Sequence, residues 1–157
     1  MSDTRLRIYL NDHLALTLGE LELVRRCAES NPGELGEFLQ SMTPELVAER
    51  RMIEEMLRRV DGVPNVVKEG LAWLAEKFGR LKLNDGLLEY TDLSRLIELD
   101  TLHATAFARC CFWENLKTAR AKDERFGSID FDAHIRRAVE HNNKLQTLRQ
   151  EAARKAL

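Results

Sequence analysis

The chain has 157 residues, a length that suits one domain, 1–157, built around one continuous core. Hydrophobic residues make up 44% of it, charged residues 32%, and the formal net charge is −2. Composition therefore excludes an intrinsically disordered chain, and the weak charge argues against nucleic acid as a partner, because phosphate backbones are held by a concentrated positive field. The Arg pairs Arg25-Arg26, Arg50-Arg51, Arg58-Arg59 and Arg136-Arg137 stand among acids and read as solvated helix faces. No run of about 18 apolar residues occurs, and the first residues lack the apolar stretch of a signal peptide, so neither a membrane span nor export is expected. Cys27, Cys110 and Cys111 are odd in number, lack metal-type spacing and fall in apolar helical patterns. They read as reduced thiols packed like small hydrophobes, which points to the cytoplasm.

Taken in chain order, the first predicted helix covers 5–28, with Leu10, Leu14, Leu18, Leu21 and Val24 on one side and Ser30-Asn31-Pro32-Gly33 as its stop. The second covers 34–60, with Leu35, Leu39, Met42, Leu46, Ile53, Met56 and Val60 three, four or seven apart. Pro44 falls inside it, and because the apolar stripe keeps its phase across the proline, one kinked helix is expected rather than two. After the stop at Asp61-Gly62-Val63-Pro64 comes a shorter predicted helix over 64–79, carrying Val67, Leu71, Trp73, Leu74 and Phe78. A turn signal follows at Asn84-Asp85-Gly86. The next helix opens at Thr91 or Asp92 and runs to about 121. The last opens at Ser128 or Asp130 and runs almost to 157. No segment shows the period-two alternation of a strand.

Helices of 24–30 residues are about 36–45 Å long. The first two are joined by a tight turn, as are the last two, so each couple reads as an antiparallel hairpin. A helix of about 16 residues plus a dozen extended residues reaches back along the whole length, at about 24 and 40 Å respectively. The expected fold is all-α: two antiparallel hairpins joined by a crossover that contains a fifth, shorter helix. That arrangement resembles the ferritin-like four-helix-bundle superfamily. Tyr9-Leu10-Asn11-Asp12-His13-Leu14-Ala15 and Leu71-Ala72-Trp73-Leu74-Ala75-Glu76-Lys77 through Asn84 also look like segments of small bacterial helical proteins with no assigned activity.

The ferritin-like resemblance implies iron or manganese held by a Glu from each of two helices and a Glu-x-x-His from each of the others. This chain has no Glu-x-x-His; its nearest approach is Asp100-x-x-His103. Polar residues do interrupt the apolar faces, however. Glu49 stands between Leu46 and Ile53 in the second stripe, and burying a carboxylate demands a partner. Glu20 and His13 border the leucines of the first helix, His103 lies in line with Leu96, Leu99 and Phe107, and His134 and His141 flank Ala138 and Leu145. Glu20, Glu49, Asp100 and His103, with His13 or His141, are thus candidate ligands for Fe, Mn or Zn in the bundle core. The plainer expectation pairs Glu49 with an arginine or a histidine and leaves the rest as boundary residues. Phosphate loops, a Gly-x-Ser-x-Gly elbow and Cys-x-x-Cys are all missing. The favoured reading is a non-catalytic module that binds a protein or a second copy of itself, with no cofactor. The alternative is a ferritin-like protein holding a metal or a small ligand.

Overall fold

The computed structural model describes residues 3–65, 72 and 89–157. Within them run four long helices: α1 (Asp3–Ser30), α2 (Glu34–Arg59), α3 (Asp92–Arg120) and α4 (Phe131–Ala156). A single 3-10 turn at Glu124–Phe126 precedes α4, and no strand occurs among the described residues. Most of the expected helix over 64–79, the turn at 84–86 and the residues Trp73 and Phe78 lie outside the described residues; Pro64 and Asn65 are described and are not helical.

Local chemistry sets the helix ends. The Asn31 side-chain amide donates to the Cys27 carbonyl at 2.7 Å and so satisfies one orphan group at the end of α1. Gly33 then turns the chain with φ 88°, a left-handed value that glycine adopts without strain. A Cβ on Gly36 would sit 2.1 Å from the Asn31 carbonyl oxygen, so α2 can start this close to α1 only with glycine there. At the far end, Asp61 turns left-handed (φ 52°) and the Gly62 N–H closes on the Leu57 carbonyl at 2.8 Å. Thr91 and Ser94 form a reciprocal capping box at the start of α3. Of the two caps open to α4, the chain uses Asp130, whose carboxylate accepts from the Ala133 N–H at 2.9 Å.

α2 runs through Pro44 as one continuous element. The proline is exposed, while Leu39 and Met42 before it and Leu46 and Ile53 after it are fully buried. A proline inside a helix costs about 3 kcal/mol. Burying each of those side chains gains about 1.5–3 kcal/mol, and a break at Pro44 would turn part of the stripe away from the interior.

Polar contacts along the helices give their directions. Arg7 Nε donates to the Val60 carbonyl at 2.6 Å, so α1 and α2 are antiparallel. Lys117 pairs with Asp132, and Arg149 with Asp100, so α3 and α4 are antiparallel too. Across the pairs, α3 runs against α1, with Asn115 donating to the Tyr9 hydroxyl at one end and Arg26 pairing with Glu98 at the other. Val63 lies beside Asn11, near the start of α1. Tyr90 lies against Asn31, beyond the end of α1.

Two apolar clusters fill the interior. One joins Leu21, Val24, Leu39, Leu46, Leu99, Leu102, Ala106 and Leu145; the other joins Leu10, Leu14, Ile53, Met56, Phe112, Trp113, Phe131 and Ala138. Each draws on all four helices. The residues that separate them along every helix are polar: Glu20 on α1, Glu49 on α2, Arg109 on α3 and His141 on α4.

Candidate functional site

Arg109 is 1% exposed, and Glu20 and Glu49 are 0% and 1% exposed, so the charges of this layer are out of water. All three guanidinium nitrogens have an acceptor in this layer. Its Nε and Nη2 donate to the two oxygens of Glu20 at 2.7 and 3.0 Å, and Nη1 donates to Glu49 Oε2 at 3.1 Å. Nη2 also lies 3.2 Å from His141 Nδ1. The second Glu49 oxygen accepts from Trp113 Nε1 at 2.8 Å. One arginine therefore joins acceptors from the three other helices.

The tautomer of His141 follows from these contacts. A guanidinium only donates, so His141 Nδ1 accepts and the ring proton sits on Nε2. That Nε2 faces Glu45 Oε2, at 2.5 Å, on the half-exposed side of α2. Burial works against the charge on Arg109, but Glu20 and Glu49 outweigh it and hold its pKa above the ordinary value. Burial pushes the Glu20 carboxyl up, and Arg109 opposes that. Burial pushes the His141 imidazole down, Arg109 adds to the effect and Glu45 opposes it.

The candidate residues read from the sequence divide in two. Glu20, Glu49 and His141 converge at the centre, around Arg109. Asp100 is exposed and bonds Arg149 at 3.3 Å, while half-buried His103 has its Nε2 buried without a partner. His13 stacks on Phe112 with ring centroids 4.3 Å apart, in the cluster nearer the start of α1. His134 stacks on Trp113 at 4.1 Å. Among the described residues, no three His, Cys, Asp or Glu side chains are grouped so as to hold a metal ion. The guanidinium stands between the three that come nearest to it, so the residues present do not fit iron, manganese or zinc while Arg109 is there.

Compared with protein-family models, curated proteins and solved structures, the chain has no match. The reading of the site rests on its geometry.

Sequence reasoning passed over Arg109, although a signal was present. It is the only charged residue between Asp100 and Glu114, in a stretch whose neighbours are Ala106, Phe107, Ala108, Cys110 and Cys111. A lone arginine in such a run needs a buried partner as much as Glu49 does. Glu98 was missed as well. It is 1% exposed, pairs with Arg26 at 3.0 Å and accepts from the Tyr90 hydroxyl at 2.8 Å. Asn31 donates to that hydroxyl and accepts from Arg95 Nε, which completes a second polar cluster at the turn end of α1. The buried Cys27 thiol beside it is pushed up to about 12, chiefly by burial, and is not a nucleophile at neutral pH.

Phe107, in line with Leu96 and Leu99 in the sequence pattern, lies outside the core. It is 59% exposed, at the middle of the outer side of α3. On the same helix, Ile97, Asp100, Thr101, Ala104, Thr105 and Ala108, with Leu16 of α1, line an open groove of about 430 Å³.

The histidines make stability depend on pH. His13, His134 and His141 are all held below the ordinary imidazole value, chiefly by burial, and the Nδ1 atoms of His13 and His134 are buried without partners. The unfolded chain therefore takes up more protons than the folded one as pH falls below about 6.5, so stability is highest above that value and declines below it. The urea midpoint is expected to fall between about pH 7.5 and pH 5.5, and to fall less in a His13→Gln, His134→Gln variant. Equal slopes for the two proteins would contradict this account.

Proposed function

We propose that this protein is a non-catalytic, ferritin-like helical bundle that works through its surface by associating with a second copy of itself. The observation that carries the reading is the use of the central polar groups. Glu20, Glu49 and His141, the residues best placed to act on a ligand, are bonded to Arg109 and hold helices together. The architecture has separate support: α2 ends beside the start of α1, and α3 begins beside the end of α1, as a lengthwise crossover between two hairpins requires. Among the described residues no helix is long and apolar enough to cross a membrane, and Cys27, Cys110 and Cys111 are unpaired, which supports a reducing, cytoplasmic setting.

Phe107 supplies the surface. It projects from the midpoint of α3, the helix that with Leu16 of α1 lines an open groove of mostly apolar and small residues that also holds Asp100. A two-fold axis across that face brings the knob of each copy to the groove of the other, the self-complementary contact of a symmetric dimer. A helix of this length is about 43 Å long, so the strip it offers is small beside the roughly 800 Å² per partner of a standard interface, and a weak, micromolar dimer is expected. Sedimentation velocity over a micromolar concentration series is expected to show a monomer–dimer equilibrium that Phe107→Glu abolishes. A wild-type chain that stays monomeric throughout would refute self-association.

A metal-binding reading, with Fe, Mn or Zn, draws on the convergence of Glu20, Glu49 and His141. The guanidinium among them tells against it for the native chain.

A further inference from the structure

The end of the bundle where α1 hands over to α2 carries an open pocket of about 300 Å³, the lower limit of ordinary small-molecule sites. Pro32, Leu35, Leu148 and Ala152 give it an apolar strip, and Arg95, Glu151 and Lys155 bring two positive charges and one negative. These charges are not spent on one another. Arg95 is held by two bonds, from Nε to the Asn31 side-chain oxygen and from Nη1 to Asp92. Its Nη2 has no acceptor among the described residues. Asn31 is itself buried and anchored to Cys27 and Tyr90, so the guanidinium is set in place before any ligand arrives. Glu151 and Lys155 stand four apart on α4 with the acid first, the spacing and order at which an exposed pair usually closes. Neither is ion-paired among the described residues, although both line the pocket.

We propose that this pocket binds a small aliphatic zwitterion, an α-amino acid of about the size of leucine. The ligand carboxylate accepts from Arg95 and Lys155, its ammonium donates to Glu151, and its aliphatic side chain lies on the strip formed by Leu35 and Leu148. Charge decides the class of ligand. A simple anion would bring its negative charge up to Glu151 with nothing to offer that carboxylate. An organic cation would meet Arg95 and Lys155. A molecule carrying both signs on a short apolar body matches all three groups at once. The inference goes beyond the surface reading above and does not rest on it, since the pocket shares no lining residue with the groove of α1 and α3.

The test follows the backbone amide chemical shifts of the full chain during titration with L-leucine. One saturable site is expected, with a Kd on the order of 1 mM for so small a ligand in an open pocket. The largest shifts are expected around Asn31, Leu35, Arg95 and the last turns of α4. Isocaproate, which lacks the ammonium, and isoamylamine, which lacks the carboxylate, are each expected to bind about tenfold more weakly, the scale of one charged hydrogen bond. Glu151→Gln and Lys155→Gln alter exposed side chains that bond to nothing else described, and each is expected to weaken leucine binding by the same factor. No saturable shift at leucine concentrations about 20-fold above that Kd overturns the proposal. So does leucine binding that neither variant weakens. Isocaproate or inorganic phosphate binding as tightly as leucine would make this a plain anion site and overturn the zwitterion.

Discussion

Replacing Arg109 with methionine is expected to cost about 3–5 kcal/mol of stability, the range found when one partner of a buried ion pair is removed. Methionine fills much of the same volume, so the loss is electrostatic more than steric. Glu20 loses both of its guanidinium bonds, and Glu49 keeps only Trp113. Two carboxylates then share an interior where each is 1% exposed or less. One of them has to take up a proton, which moves the cost toward neutral and alkaline pH and eases it in mild acid. At this chain length each kcal/mol lowers the melting temperature by about 2–4 °C, so a fall on the order of 10 °C is expected. Arg109→Lys keeps the charge but lacks the fork that spans Glu20, Glu49 and His141, and its loss is expected to be smaller than that of Arg109→Met. A shift below about 1 kcal/mol in urea unfolding of Arg109→Met would show that the guanidinium is not what keeps these carboxylates inside.

The companion expectation runs the other way. A triple variant, Glu20→Leu, Glu49→Leu and Arg109→Met, is expected to recover all the stability lost by Arg109→Met and to exceed the parent by about 1–4 kcal/mol. Taking three charged groups out of water costs more than their mutual attraction returns, and an apolar layer would join the clusters above and below it into one. Trp113 Nε1 and His141 Nδ1 would lose partners, which limits the gain. The two variants together separate two roles for the layer. If the triple variant is as unstable as Arg109→Met, the charges stabilise the fold outright. If it is more stable, the layer earns its place by matching the heights and rotations of the four helices, since leucines could slide past one another where a fork of hydrogen bonds cannot.

Much of the local structure was legible in the residues. The helices expected over 5–28, 34–60 and 91–121 are observed as Asp3–Ser30, Glu34–Arg59 and Asp92–Arg120, and the Asp130 cap opens the last. These features depend on residues three or four apart and on caps that bond within one turn, so they survive whatever the rest of the chain does. Glu49 was visible because it breaks an apolar stripe. Arg109 was passed over because Ala106 and Ala108 around it carry little apolar bulk, and bulk was what marked a core face. The buried side of α3 keeps Leu96 and Leu99 and continues through Leu102 and Ala106, while Phe107 faces out. Small side chains let neighbouring helices approach, and a phenylalanine in their place would hold them apart.

The amino-acid sequence by itself determined that this protein is helical, where its described helices begin and end, and that a carboxylate on α2 had to find a partner. Only the tertiary structure decided which partner. Arg109 lies 89 residues from Glu20 and 60 from Glu49 along the chain, and His141 a further 32 beyond it. Their meeting depends on how four helices are rotated about their axes, and a rotation of one residue, about 100°, would point each of these groups elsewhere. No local rule sets that angle; it is chosen by the packing of two apolar clusters on either side of the charged layer.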